Sequence, residues 1–325
     1  MQRPPEPTID PSNPSVLRWD DLGLVLVHDF ISDDEEDAMI TAFHAHEQEA
    51  AAIREGGDGG ERGGRETERR PKAHDKKNSK RLSQHFGHHF DYTTFGASEA
   101  RFTPVPPYIA ALLPRLPIQA YLPDQFTVQY YPPGTGIPPH VDTHSMFAEA
   151  LYSLSFGSAV PMQFRLSGPN DARKMRLPKR SSSSPPAATT ATTTTQAVPD
   201  LQASQTAPND QQQQEPTWEL LLPARSLLLM TGPSRYGYTH AIRPRKTDLV
   251  GGATVPRRGR YSITMRTVRR GDEIGCDCAY PGVCDARVRE EQAAAIAEEE
   301  AREAQEAAAA GAGEGSGSAA GTARG

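Results

Sequence analysis

The feature that most constrains this chain is a series of short β-branched and aromatic runs, separated by proline or glycine, that begins at Phe126. FTVQYY, EALYSLSFGS, SLLLMTG and RYSITMRTV follow one another between residues 126 and 268. Each is too short for an ordinary helix and too rich in strand-forming side chains for a loop. Many short strands with turn residues between them pack as a barrel or a jelly roll. The N-terminal part adds helical signals. After the strand-like run GLVLVHDFI, Ser32 and Glu35 form a capping box, and Met39, Ile40 and Phe43 share one helical face. RLSQHFGHHFDY returns to strand-like composition, and PPYIAALLPRL (106–116) has room for one short helix between prolines. The expected class is mainly β with flanking helices, a jelly roll with disordered insertions and tail.

Composition enters because it dilutes this pattern. Hydrophobic residues are only 36% of the 325, with 29 Pro and 27 Gly, low for a fully packed chain. The biased stretches account for the deficit. They are expected to be a disordered Pro-rich arm over 1–22, a mobile basic loop over 51–80, a Ser/Thr/Gln-rich insertion over 167–217, and an acidic Ala/Glu helix with a Gly/Ser tail over 286–325. One domain, 23–285, is left. No run of apolar residues is long enough for a membrane-spanning helix, and the first residues lack the apolar centre of a secretory signal. Three cysteines within nine residues do not make a disulfide framework. A monomer in the cytoplasm, the nucleus or both is expected, with no membrane partner.

The net charge of -6 hides two basic stretches. Residues 61–81 hold nine basic against four acidic residues, and 243–270 hold nine against the single Asp248. Such segments fit a polyanion, nucleic acid above all, as well as an ordinary solvated surface.

Candidate chemistry centres on HVD at 140–142. Residues i and i+2 of an extended segment share a face, so His140 and Asp142 can grip one metal ion. His240 is the best-placed remaining histidine to complete a two-histidine, one-carboxylate set, which suits non-haem Fe(II) with open positions. Arg260 and Arg266 are six apart in RYSITMR, hence on one strand face. Inside a barrel they would need anions, such as a dicarboxylate; on an edge strand they would be solvated. Cys276, Cys278 and Cys284 make three thiol donors, one short of tetrahedral zinc. His85, His88 and His89, with Phe86 and Tyr92, fit packing or base stacking better than metal binding.

YPPGTGI, HVD, the distal His240 and RYSITMR together resemble the AlkB family of Fe(II)/2-oxoglutarate dioxygenases. GIPPHVDTHSMF, SLSFGS, RSLLLMTGPSRYGYTHAI and CDCAYPGVCD resemble its eighth-homologue branch, the tRNA wobble-uridine hydroxylases. The resemblance covers roughly 23–285 and implies a double-stranded β-helix. It makes His140, Asp142 and His240 the Fe(II) ligands, with O2 as second substrate. It assigns Tyr131 to a hydrogen bond with 2-oxoglutarate, Arg260 to its distal carboxylate and Arg266 to the same pocket. Gln129 stands where the family usually has Asn, with the amide one methylene further out. His144 becomes the fourth ligand of a structural Zn with the three cysteines. The RNA-recognition and methyltransferase modules of the animal relatives have no counterpart in 1–22 or 286–325, so a catalytic domain alone is expected, with a separate tRNA methyltransferase as a possible partner. The implied activity is hydroxylation of a modified wobble uridine in tRNA. Oxidative demethylation of alkylated DNA or RNA is the alternative, followed by a protein-directed dioxygenase or a non-catalytic scaffold.

Overall fold

Three adjacent strands of the larger sheet divide their side chains between two environments. In the computed structural model, which describes residues 5–56, 81–91, 96–168, 171 and 217–313, β15 (Arg260–Val268) pairs antiparallel with both β6 (Gln125–Tyr131) and β8 (Phe147–Phe156). Successive side chains of a strand point to opposite faces. Phe126, Val128, Leu154, Phe156, Ile263 and Met265 are buried on one face, against α1 (Asp33–Gly56) and α2 (Pro107–Ala110). Thr127, Gln129, Ser153, Arg260, Ser262 and Arg266 line a cavity on the other.

Beyond β8 this sheet continues through β11 (Ser226–Met230) and β3 (Leu24–Val27) to β2 (Asn13–Trp19) and β1 (Thr8–Asp10). Beyond β6 it continues through β4 (Leu82–Asp91) to β5 (Gly96–Thr103), giving nine strands. A four-stranded sheet faces it, in the order β10 (Thr217–Leu222), β9 (Val160–Leu166), β12 (Tyr238–Ile242), β7 (Ile137–His140). Leu24, Leu228 and Met230 of the large sheet meet Met162, Phe164 and Leu222 of the small one in a second apolar core. Two facing antiparallel sheets with helices on the outer face make the jelly roll that the strand pattern predicts.

Local signals act as expected where their partners are close by. At the start of α1 the Ser32 backbone N–H donates to Glu35 Oε2 at 2.8 Å, and the Glu35 N–H donates back to Ser32 Oγ at 3.2 Å. Met39 and Phe43 are buried beneath it. The 106–116 segment forms α2 followed by a 3-10 turn over Leu113–Arg115. The C-terminal segment forms α4 (Asp285–Gly313).

Three expectations need correction. The arm 1–22 is not structureless: β1 and β2 extend the large sheet, with Leu17 opposite Leu26 and Trp19 opposite Leu24. Trp19 is 6% exposed, and its indole N–H donates to the Pro5 carbonyl at 2.8 Å. The prolines lie outside the stretch of β2 that pairs with β3, so they do not break the ladder. Residues 51–56, expected to open the loop, belong to α1, which runs on to Gly56; residues 57–80, with most of that basic segment, lie outside the described residues. The insertion 167–217 also lies largely outside them. Its last residue, Thr217, already pairs with Arg165, so the insertion leaves and re-enters at neighbouring positions of one ladder.

Trp19 closes one end of the core between the sheets. Trp19→Ala should destabilise the protein by about 3–5 kcal/mol, the usual cost of emptying a large aromatic site. Urea unfolding followed by circular dichroism checks this, and a shift under 1 kcal/mol would mean that β2 contributes little to the core.

Candidate active site

The polar face of β6, β8 and β15 opens into a cavity of about 950 Å³, whose opposite wall includes His140, Asp142 and His240. His140 ends β7 and stands directly across the ladder from His240 of β12. The loop before β7 makes this register possible. A Cβ on Gly136 would lie 2.1 Å from the Ile242 carbonyl oxygen, so only glycine lets the YPPGTG segment approach the end of β12. The two imidazole centroids are 4.3 Å apart, and Asp142 Oδ2 lies 3.5 Å from His240 Nε2. One ligand atom from each residue falls within 4.8 Å of the others.

The electrostatics suit a cation. Burial, reinforced by His140, pushes His240 down to about 3 against the pull of Asp142, so its ring is neutral and keeps a lone pair. His140 Nδ1 is 2.9 Å from the Pro138 carbonyl oxygen; a proton donated there leaves Nε2 as a ligand atom. Burial opposes charge on Asp142, but Arg266 at 2.5 Å, aided by both histidines, holds the carboxyl below its usual range. Arg266 engages Oδ1, whereas Oδ2 is buried without a hydrogen-bond partner. A buried carboxylate oxygen without a donor is costly unless a cation meets it. Two imidazoles and this oxygen fit Fe(II) and leave coordination positions open.

Arg260 lies at the far end of the same strand face, roughly 20 Å from Arg266 by strand rise. The two arginines therefore serve different ends of the cavity. Arg260 Nη2 donates to Ser155 Oγ at 2.8 Å, while its Nε and Nη1 are buried without partners. Burial lowers its pKa to about 10, which still leaves it charged at neutral pH. Unsatisfied guanidinium donors at the end of a polar cavity fit a carboxylate. Beside it, the Tyr131 hydroxyl donates to Gln129 Oε1, and both residues line the cavity. Burial raises the Tyr131 pKa, so the phenol keeps its proton.

Several residues of this site carried no signal in the sequence. Gln125 Oε1 accepts from Arg266 at 3.2 Å, Gln125 Nε2 donates to Thr127 Oγ1 at 3.0 Å, and Thr127 lies 3.3 Å from His85 Nδ1. This chain links the Asp142 carboxylate to His85, which lines the cavity. His88 instead packs edge-on against Phe102, and Phe86 is core. His89 bonds Thr103 Oγ1 at 2.6 Å, and Tyr92 lies outside the described residues.

The basic stretch 243–270 supplies far less surface charge than its composition suggests, and the inference from it to nucleic acid must be revised. Arg260 and Arg266 are inside the cavity. Arg257 is buried and paired in two bonds, 2.7 and 2.6 Å, with Asp248. Arg245 meets Glu219, and Arg270 meets Asp124. A barrel interior needs cations for its own anions, and composition alone does not show on which face a charge lies.

A second cluster lies close to the first. His144, Cys276, Cys278 and Cys284 offer ligand atoms all within 4.8 Å of one another, and the cysteines are free thiols. Burial raises all three thiol pKa values and pushes His144 down to about 4. Three sulfurs and a neutral imidazole are a donor set that could hold tetrahedral Zn(II). Asp285, one residue past Cys284, accepts the backbone N–H groups of His144 and Ser145 at 2.7 and 3.0 Å.

The model of the 2OG-Fe(II) oxygenase superfamily matches residues 23–266. The chain belongs to that superfamily. It is a dioxygenase, an oxidoreductase whose family chemistry uses Fe(II), 2-oxoglutarate and O2. It is 34% identical over 200 residues to the tRNA (carboxymethyluridine(34)-5-O)-methyltransferase ALKBH8 of Mus musculus, covering 56% of this chain and 23% of the mouse protein. It is 32% identical over 165 residues to the alkylated DNA repair protein ALKBH8 homolog of Arabidopsis thaliana, covering 50% and 39%. The oxygenase thus spans less than a quarter of the length of the mouse relative. Among solved structures, OsALKBH1 aligns with a TM-score of 0.39 at 16% identity, over 77% of this chain and 99% of that one. A Pseudomonas putida prolyl-4-hydroxylase aligns with a TM-score of 0.35 at 13% identity, over 77% and 94%.

The buried histidines generate a pH prediction for the metal-free oxygenase. His240 and His144 fall from 6.5 to about 3 and about 4 on folding, so between those values and 6.5 the unfolded chain binds more protons. Stability should therefore decline as pH drops from about 6.5 toward 4. Melting temperatures of chelated protein across that range check the sign; an unchanged melting temperature would show that neither ring is held neutral.

Proposed function

We propose that this oxygenase hydroxylates a modified wobble uridine in tRNA. Iron would be held by His140, Asp142 and His240, with 2-oxoglutarate lying between the metal and Arg260. The observation that carries this reading is the pairing, at the two ends of one cavity, of an orphaned Asp142 oxygen beside two imidazoles with orphaned Arg260 donors. Bound Fe(II) with 2-oxoglutarate and O2 supplies an oxidant that inserts oxygen into a C–H bond, releasing succinate and CO2.

The protein's own groups orient and neutralise. Arg266 holds Asp142 by one oxygen and leaves the other for the metal. Arg260, held by its bond to Ser155, would take the distal carboxylate, beside the phenol that Gln129 fixes on Tyr131. The cavity is open along β4, where Arg81, Ser83 and His85 line it; a base flipped out of its strand would enter there. The structural Zn expected from the sequence would be held by His144, Cys276, Cys278 and Cys284.

The choice of tRNA draws on the names of relatives, one of which acts on carboxymethyluridine 34. Methylation of that nucleotide is a different reaction, for which a separate methyltransferase is the expected partner. The name of the Arabidopsis relative favours a second reading, removal of alkyl lesions from nucleic acid. The two readings share a centre and differ in products. Hydroxylation leaves the substrate carbon in place, whereas demethylation releases formaldehyde.

Succinate release measured side by side on tRNA carrying carboxymethylated uridine 34 and on methylated oligonucleotides separates them. The expected result is turnover on the tRNA without formaldehyde; formaldehyde from methylated oligonucleotides alone would establish repair instead. Arg260→Lys keeps the charge but loses the planar fork. It should weaken apparent 2-oxoglutarate affinity about tenfold, the order of one charge-assisted hydrogen bond. Unchanged affinity would place the distal carboxylate elsewhere. His140→Ala should abolish succinate release while the circular dichroism spectrum stays that of the parent, and full succinate release would remove His140 from the metal site.

A further inference from the structure

The peptide groups from Asp142 to Ser145 serve both ligand clusters at once. Asp142 turns its carboxylate toward His140 and His240, while two residues on His144 meets Cys278, with Sγ 3.4 Å from Nδ1. This stretch lies between β7 and β8 and belongs to neither strand. Its backbone groups are nevertheless buried and must be satisfied by something other than a ladder.

The Gly275 N–H donates to the Ser145 carbonyl at 3.1 Å, and two buried charged side chains satisfy four more of these groups. Arg235, 2% exposed, donates Nη1 to the Asp142 carbonyl at 2.9 Å and Nη2 to the Thr143 carbonyl at 2.8 Å. Asp285, also 2% exposed, accepts the next two N–H groups, those of His144 and Ser145. Its other oxygen accepts from Ser145 Oγ at 2.5 Å and from Arg289. The positions of the two clamps in the chain matter. Arg235 sits in α3 (Gly232–Tyr236), which leads directly into the β12 strand that carries His240, and Asp285 immediately follows Cys284. Each clamp is tied by a short piece of chain to a ligand of one cluster while it grips backbone shared by both. Arg235 spends a buried cation on two neutral carbonyls. That is an expensive way to make a structural tie, and it places a positive charge beside Asp142.

We propose that Arg235 and Asp285 are positioning residues that hold 142–145 as one rigid strap, so that metal affinity at His140, Asp142 and His240 depends on the thiol cluster although the two sets share no donor atom. The proposal rests on the ligand assignments made above. Both clusters bias the same element, which is the physical requirement for coupling between sites, and such coupling is reciprocal.

The test is a Mn(II) titration of the full-length oxygenase followed by electron paramagnetic resonance, since Mn(II) prefers oxygen and nitrogen donors to thiolates. Arg235→Lys, Asp285→Asn and Cys278→Ser should each weaken Mn(II) binding about tenfold or more, as loss of an outer-shell partner does. Titrations run well below each variant's melting temperature separate this from instability, because a merely structural role would lower the melting point and leave the affinity of the folded protein unchanged. Combining Asp285→Asn with Cys278→Ser should cost less than the product of the two losses, since both loosen one strap. Affinities within about twofold of the parent for Arg235→Lys and Asp285→Asn would overturn the proposal, as would a double loss equal to the product. If Arg235→Lys does not fold, Asp285→Asn and the double variant decide. Asp142→Ala is the control: parental Mn(II) affinity there would show that the ligand assignment, and not the strap, is wrong.

Discussion

The alternation of side chains along β6, β8 and β15 is the constraint from which the rest follows. Every second residue must face the helices and every other one the space between the sheets. The first set is Phe, Val, Leu, Ile and Met and makes a core with α1 and α2. The second set is Thr, Gln, Ser and Arg and makes a polar cavity. A one-residue slip in any of these strands would exchange the two, placing guanidinium groups in the core and phenylalanines in the cavity. Fold and chemistry are thus set by the same register.

Placing so much polarity inside a barrel is costly unless each charge is answered. Arg266 is answered by Asp142 and Gln125, and Arg257 by Asp248. Among the described residues, the buried groups without a hydrogen-bond partner include one at each end of the cavity, Asp142 Oδ2 and the Arg260 donors. A protein interior seldom tolerates such orphans unless a ligand completes them. Their placement marks where a cation and an anion would enter.

Next to His140, regular structure gives way to a short irregular stretch. A ladder would have paired residues 142–145 with a neighbouring strand and fixed their side chains by parity alone. Released from it, the stretch can turn Asp142 to one cluster and His144 to the other, but its backbone then depends on Arg235 and Asp285. Precision here comes from side chains drawn from distant parts of the chain, a device common where a site must be held more tightly than a loop allows.

Much of this was legible in the sequence wherever cause and effect lie within a few residues. The strand runs, the Ser32–Glu35 capping box and the common face of Arg260 and Arg266 all follow from periods of two or 3.6 and from local hydrogen bonds, whereas His140 and Asp142 come together although the strand ends at His140. Partners far apart in sequence were not legible. The Pro-rich N-terminus is held as strands because β3, on which β2 pairs, is itself fixed by β11 some two hundred residues on, and Arg235 and Asp285 acquire roles only when the chain brings them to the carbonyls and N–H groups of 142–145. The basic stretch near the C-terminal end was misleading for the same reason, since composition counts charges but does not show which face carries them. Sequence by itself determined which segments are strands and which side chains share a face, because these depend on short-range geometry. Only the tertiary structure decided which faces meet, which charges are buried against each other and which polar atoms are left for a ligand, because those depend on contacts that the period of a single strand or helix does not set, many of them between residues more than a hundred positions apart.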